Sequence, residues 1–309
     1  MSAEFTIPEL TEVVARLSAL LGPREGSVVQ LDGGITNRNF RVNFGGTDYV
    51  VRLPGKRTEL LGIDRQAECI ANKAAAELGI APRVATLLEE PSCLVTAFIA
   101  GREMTADELR TPEAIAEVAH DLRLLHDSGT ELPNGFDSFR LVQDYAETGR
   151  THGSDTPDLY ERALEAARSI QAAVGGQQEH EPVPAHNDLL TANFLRNGGR
   201  IHLIDWEYAG MGDRWFDLGN FAANNELDEE QEAQLLAAYF NEPPDERRLA
   251  TLRLFRFMSN FREAMWGVVQ AGVSELDFDF REYAKKHFDR LEEALEDPRF
   301  EGWIQAARG

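Results

Sequence analysis

Apolar residues recur every three or four positions from Leu10 through Val13, Val14, Leu17, Leu20 and Leu21. With Pro8 ahead of them and Gly22-Pro23 behind, this spacing predicts a helix over 8–21. The period then shortens to two. Residues 28–31, 40–42 and 49–53 read as strands, the last two joined by a turn over 43–48 that contains Gly45-Gly46. Asp64 can cap a second helix, which runs to Leu78 and stops at Gly79. Two further strands, over 83–88 and 93–99, flank Glu89-Glu90-Pro91-Ser92.

From about Thr111 the pattern is helical. Thr111-Pro112-Glu113 is a helix start, and Ile115, Val118, Leu122 and Leu125 carry it to His126. Gly, Pro, Asp and Ser crowd 127–157, which reads as loops around one short helix; 159–174 is helical again. Phe194-Leu195 and the apolar run 201–204 predict a hairpin closed by Asn197-Gly198-Gly199. A helix begins at Arg214, and three more are expected near 228–240, 245–270 and 279–295. The change of pattern near 98–103 divides the chain into a strand-rich lobe, 1–98, and a helical lobe, 99–309, with a hinge at about 96–103. The fold class is α+β: a small antiparallel sheet with one key helix, then a large, mainly helical lobe.

Composition narrows the partners. The 309 residues are 43% hydrophobic and 27% charged, ordinary for a globular enzyme with a core that needs no staples. Two cysteines, Cys69 and Cys93, in no metal or redox spacing, together with the lack of a signal sequence, lead us to expect a reduced cytoplasmic protein. No apolar run is long enough to span a bilayer. The net charge of -22 argues against nucleic acid and anionic membrane as partners and permits a cationic one.

The chemistry concentrates between Val183 and Asn225. His186-Asn187-Asp188 is followed by Asn193, then the hairpin, then Asp205 and Glu207. Phosphoryl transfer from ATP to a hydroxyl requires a carboxylate to orient that hydroxyl and oxygen ligands for Mg²⁺. Kinase catalytic loops supply these as H-R-D-x-x-x-x-N with an Asp after the next hairpin. The hairpin brings Asn193 and Asp205 to one end, where one metal ion can use both. A lone His-x-Asp triplet is more often a turn or a cap; the combination favours catalysis.

Other segments fit the same chemistry. Gly33-Gly34, by default a turn, precedes Thr36 and Asn37 and can bring backbone N–H groups close to phosphate oxygens. Arg52 lies among apolar neighbours on the next strand, with Glu68 one turn into the following helix as its expected ion-pair partner. In the hinge, the backbone at Thr96, Phe98 and Ile99 can pair with adenine while apolar side chains sandwich it. Asp217, if buried, is expected to accept backbone N–H groups of the catalytic loop. His120 and His126 read as packing residues, and His186 as a hydrogen-bonding brace for the loop. No zinc-protease, nucleophile-elbow or P-loop motif occurs.

Taken together, GGITNRNF, YVVRLPG, the Glu68 helix, HNDLLTANFL, LIDWEYAGMGDRWFDLGN and AMWGVVQA resemble the choline/ethanolamine kinase family, within the aminoglycoside phosphotransferase superfamily of protein-kinase-like enzymes. Arg52 in place of a strand lysine, and H-N-D in place of H-R-D, are typical of that branch. The resemblance, which covers most of the chain, implies a two-lobed kinase-like fold that uses ATP and Mg²⁺. It makes Asp188 the carboxylate that accepts the substrate proton, and Asn193 and Asp205 metal holders, with Glu207 a second metal or substrate contact. It assigns Thr36 and Asn37 to the phosphate loop.

For the acceptor, a small cationic alcohol, it implies an aromatic box that includes Trp266 and Tyr283, with Tyr208 beside them. Glu263 stands where a second tryptophan is expected, and Asn224 where an acid is expected. A carboxylate beside an aromatic wall suits a primary or secondary amine at least as well as a trimethylammonium. Choline and ethanolamine lead as acceptors; an aminoglycoside, thiamine or another amine or sugar alcohol is the alternative. An inactive nucleotide-binding protein is a third reading, against which the intact Asp188, Asn193 and Asp205 speak.

Overall fold

In the computed structural model, which describes residues 8–31, 37–55, 58–90 and 92–308, the two hydrophobic periods sort the chain into a sheet and a body of helices. Helix α1 (Pro8–Leu21) lays Leu10, Val13 and Leu17 against the sheet. Strands β1 (Arg24–Leu31), β2 (Arg38–Phe44) and β3 (Thr47–Leu53) follow, then helix α2 (Arg65–Glu77), β4 (Val84–Leu88) and β5 (Cys93–Ala97). The five strands pair antiparallel in the order β1-β2-β3-β5-β4. Alternation along β2 and β3 buries Phe40, Val42, Phe44, Val51 and Leu53 on the α1 side. Gly45 and Gly46, with φ of +56° and +81°, make the tight β2–β3 turn that the strand twist favours.

Asp64 caps α2 as expected, accepting the N–H groups of Gln66 and Ala67 at 2.8 and 3.1 Å. The helix does not share the α1 core. Its Ala71 and Ala75, with Ile80 and Ala81 beyond it, pack into the larger core of the helical body. Packing therefore groups α2 with the residues after the hinge, whereas the sequence pattern groups it with the sheet. At the hinge itself, Phe98 N–H donates to Asp48 O at 3.0 Å, and the Arg41 guanidinium lies over the Phe98 ring.

The helical body comprises β6 (Arg102–Glu103), α3 (Ala106–Leu109), α4 (Pro112–His126), α5 (Ser138–Thr151), α6 (Leu159–Val174), β7 (Val183–Ala185), β8 (Phe194–Asn197), β9 (Arg200–Leu203), β10 (Gly210–Gly212), α7 (Arg214–Asn224), α8 (Glu229–Phe240), α9 (Glu246–Val273), α10 (Phe280–Glu296) and α11 (Phe300–Ala307). Three features correct the sequence reading. The stretch 127–157 holds a full 14-residue helix, α5, capped by Asp137 and packed through Val142, Tyr145 and Ala146. So few apolar positions among polar ones leave a weak pattern. Helices α3 and α11 were not anticipated, the first because four residues show no period. His120 is exposed and is not a packing residue; His126 is buried.

Helix α9, 28 residues long, is the axis of this body, with α5, α7, α10 and α11 against it. Two glycines set how close its neighbours come. A Cβ on Gly219 of α7 would lie 2.5 Å from the Phe255 carbonyl carbon, and one on Gly267 would lie 2.9 Å from Ala284 Cβ of α10. Among the described residues no helix is long and apolar enough to cross a membrane.

Because the obstacle at Gly219 is backbone, it cannot rotate away. Gly219→Ala is expected to destabilise the fold by about 1–3 kcal/mol, the range for overpacking. Gly302→Ala in α11, where nothing lies within 4 Å, should be neutral or mildly stabilising. Denaturant titration of both variants checks the pair; equal effects would remove the close-approach argument.

Candidate active site

The loop that carries Asp188 is held from below by one face of α7. Asp217, fully buried, accepts the backbone N–H groups of His186 (2.9 Å) and Asn187 (2.7 Å), and its Oδ2 also meets His126 Nε2 at 3.1 Å. Three residues on, Asn220 accepts the Leu189 N–H, and its amide donates to Ser259 Oγ at 3.0 Å. Asn225, just past the helix end, accepts from Thr191 Oγ1 at 2.9 Å. Burial works to raise the Asp217 carboxyl, but His126 and the His186 N–H outweigh it and hold the pKa below the usual carboxylate value.

His186 braces the loop from the other side. Its Nδ1 accepts the Asp188 N–H at 3.2 Å, so the proton sits on Nε2, which donates to Ile204 O at 3.0 Å. Burial lowers its pKa and keeps the ring neutral. Asn187 and Asp205 both adopt φ of +64°, a conformation that side chains disfavour and that the surrounding bonds maintain. In the β8–β9 hairpin Phe194 pairs with Leu203 across a turn at Gly198-Gly199, and Ile204 N–H donates to Asn193 O at 3.0 Å. Asn193 and Asp205 thus stand at one end, as the spacing predicts.

Asp188, Asn193, Asp205 and Glu207 line a single cavity of about 630 Å³. Arg52, Thr96, Phe98 and Ile99 line it toward the hinge, and Tyr208, Glu263, Trp266 and Tyr283 toward α9 and α10. Glu68 lies behind, 1% exposed, with Arg52 Nη1 3.0 Å from its carboxylate; Arg52 also pairs with Asp205. Asn37 is buried and donates to Glu207 Oε2 at 2.7 Å. Gly34 and Thr36 lie outside the described residues. Asn224 is not brought to the cavity: it closes α7, and its buried Nδ2 has no hydrogen-bond partner among the described residues.

Two arginines of the site were not anticipated. Arg65, at the start of α2, reaches Glu68 (2.7 Å), Asn37 Oδ1 (3.0 Å) and Glu207 (3.4 Å). Arg262 on α9, 1% exposed, places Nη1 3.1 Å from Asp188 Oδ1 and 2.5 Å from Glu263 Oε1, and its guanidinium lies 4.2 Å over the Tyr208 ring. An arginine adjoining the anticipated Glu263, on a helix expected in the core, was the available signal.

The site holds more carboxylate than its arginines neutralise. Five acids (Glu68, Asp188, Asp205, Glu207, Glu263) share it with three guanidiniums (Arg52, Arg65, Arg262). Burial first, then neighbouring acids, push Asp188 up to about 8 against the pull of Arg262. Burial and Asp205 push Glu207 up to about 7. Such an excess of carboxylate is chemistry that fits a cation. Asn193 Nδ2 donates to Asp188 O (2.8 Å) and to Asp188 Oδ2 (3.2 Å), so its amide oxygen is the atom left over. That oxygen, with carboxylate oxygens of Asp205 and Glu207, is the hard donor set that suits Mg²⁺. Among the described residues no three His, Cys, Asp or Glu side chains form a metal cage of their own.

Residues 27–252 match the phosphotransferase enzyme family. The chain is 26% identical over 276 residues to protein LicA of Haemophilus influenzae, covering 86% of this chain and 79% of that one. It is 27% identical over 315 residues to ethanolamine kinase 2 of Mus musculus, covering 92% and 80%. A crystal structure of a choline/ethanolamine kinase family protein from Mesorhizobium loti superposes with a TM-score of 0.80 at 29% identity, over 97% of this chain and 99% of that one.

Asp217 is expected to support the loop measurably. Asp217→Ala leaves two buried N–H groups unpartnered and should cost about 2–4 kcal/mol. Since the folded pKa lies below the ordinary value of 3.8, the carboxylate's contribution is full above that pH and fades as pH falls through the folded value. The stability gap between wild type and Asp217→Asn, followed by urea titration, should therefore narrow below about pH 4.

Proposed function

This chain belongs to the phosphotransferase enzyme family, and on that footing we propose that it transfers the γ-phosphoryl group of ATP to the hydroxyl of a small cationic amino alcohol, choline or ethanolamine. The observation that carries the reading is the shared cavity. Asp188, Asn193 and Asp205 converge in it between hinge residues on one side and an aromatic wall on the other. The names of the ethanolamine kinase and of the choline/ethanolamine kinase family protein support the acceptor class.

In this reading adenine lies against Thr96, Phe98 and Ile99. The phosphates run along Arg52, which Glu68 holds in place. Asn37, bonded to Glu207, closes the phosphate end. Asn193 and Asp205, with Glu207, would hold Mg²⁺, which would neutralise phosphate charge when bound. Asp188 accepts a hydrogen bond from the acceptor hydroxyl and orients it. As the hydroxyl oxygen bonds to the γ-phosphorus, the bond from that phosphorus to the β–γ bridging oxygen breaks, the proton passes to Asp188, and ADP leaves. No covalent enzyme intermediate forms. Acceleration comes from alignment and charge placed before the reaction begins.

Asp188→Ala should lower turnover by at least about 10²–10⁴-fold, the range for a positioned proton acceptor. ATP affinity measured by calorimetry should be little changed. Full activity in that variant would reject the assignment. Removing divalent cations with EDTA should stop ADP release from wild type, and adding Mg²⁺ should restore it.

A further inference from the structure

The wall beside Asp188 is one-sided in its hydrogen bonding. Trp266 donates its indole N–H to Tyr208 Oη at 2.8 Å. Tyr283 donates its hydroxyl to Glu263 Oε2 at 2.7 Å. Arg262 directs Nη1 to Asp188 and Glu263, while its Nε and Nη2 are buried away from solvent with no partner among the described residues. A ligand entering here meets mainly oxygen lone pairs. A carboxylate accepts at about four positions, and Glu263 has two filled.

The ring faces are also partly taken. The face of Tyr208 already carries a cation, the guanidinium of Arg262 at 4.2 Å from its centre. Trp266 and Tyr283, edge to face with ring centres 5.4 Å apart, are what remain to attract a ligand cation. Three residues before Trp266, one turn back on α9, the chain carries a carboxylate, Glu263.

We infer that this pocket selects a protonated amine that still carries an N–H over a quaternary ammonium, with Glu263 as the recognising group and Arg262 as the residue that closes the Tyr208 face. The inference rests on the amino-alcohol reading above. An N–H-bearing ammonium can donate to the open lone pairs of Glu263, whereas a trimethylammonium has no hydrogen to give and holds the carboxylate off by its methyl groups. Glu263 is suited to the task. Burial works to raise its carboxyl, but the Arg262 guanidinium and the Tyr283 hydroxyl outweigh it and hold its pKa below the usual carboxylate value. An anionic acceptor is disfavoured, because Asp188, Asp205, Glu207 and Glu263 line the cavity against Arg52 and Arg262.

The test begins with the wild-type enzyme and ATP. The acceptors are ethanolamine, N-methylethanolamine, N,N-dimethylethanolamine and choline, followed by ADP release. The largest fall in kcat/KM should come at the last step, where the final N–H is lost, by at least about tenfold, the scale of one charge-assisted hydrogen bond. Choline used as well as or better than dimethylethanolamine overturns the inference and leaves the amino-alcohol reading standing. Turnover of none of the four overturns both. Glu263→Gln should raise the acceptor KM while leaving the ATP KM unchanged; equal rises in both would make the residue merely structural. Arg262→Phe should raise the ratio of choline to ethanolamine kcat/KM, a quantity insensitive to any turnover both substrates lose; an unchanged ratio removes Arg262 from the account.

Discussion

A buried carboxylate without counterpart bonds costs several kcal/mol, and the active centre depends on how that cost is offset at Asp217. Its two oxygens take the N–H groups of consecutive loop residues and one imidazole nitrogen, so nearly every strong acceptor position is used. Two N–H groups bound to one carboxylate fix the direction of the peptide between them. That peptide leads directly into Asp188. The unfavourable φ of Asn187 is tolerated because these bonds leave the loop no alternative path. Helix α7 is in turn seated by the contact of Gly219 with α9, so a catalytic position is set by the approach of two helix backbones.

The cleft above the loop is held by charge that is deliberately unbalanced. Arg52 reaches Asp205 from the sheet and Arg65 reaches Glu207 from α2, and Asn37 adds a hydrogen bond to Glu207. Each guanidinium also touches Glu68, so one buried acid on α2 positions both. The surplus of carboxylate that remains would repel a triphosphate on its own. On the function proposed above, it would suit a nucleotide that arrives with its divalent cation, whose charge both the acids and the phosphates would need.

The acceptor end follows a different logic. Trp266 gives its indole hydrogen to Tyr208 and Tyr283 its hydroxyl hydrogen to Glu263, so neither is free for a ligand. Arg262 and Glu263, adjacent on α9, neutralise each other while keeping a carboxylate at the wall. Specificity in such a pocket is decided by which lone pairs stay unfilled as much as by shape.

What could be read from residues alone was whatever short-range physics decides. The Asp64 cap, the glycine turns at 45–46 and 198–199, and the hairpin that brings Asn193 to Asp205 each depend on neighbours a few positions away, and each was legible. The role of Asp217 could be anticipated because an acid at a helix start close to the loop has few other ways to be buried. Arg262 was harder: it meets Asp188 across 74 residues of chain, and its place beside Glu263 on a core helix hints at burial without naming that partner. Arg65 reads locally as an ordinary helix-start residue paired to Glu68, and acquires Glu207 and Asn37 only through tertiary contacts. Asn224 and Asn225 differ by one position, about 100° around a helix, and only packing decides which of them faces the loop. Sequence determined the elements and the kind of chemistry, because those rest on local geometry; tertiary structure decided the counter-ions and the acceptor wall, because charges pair through space.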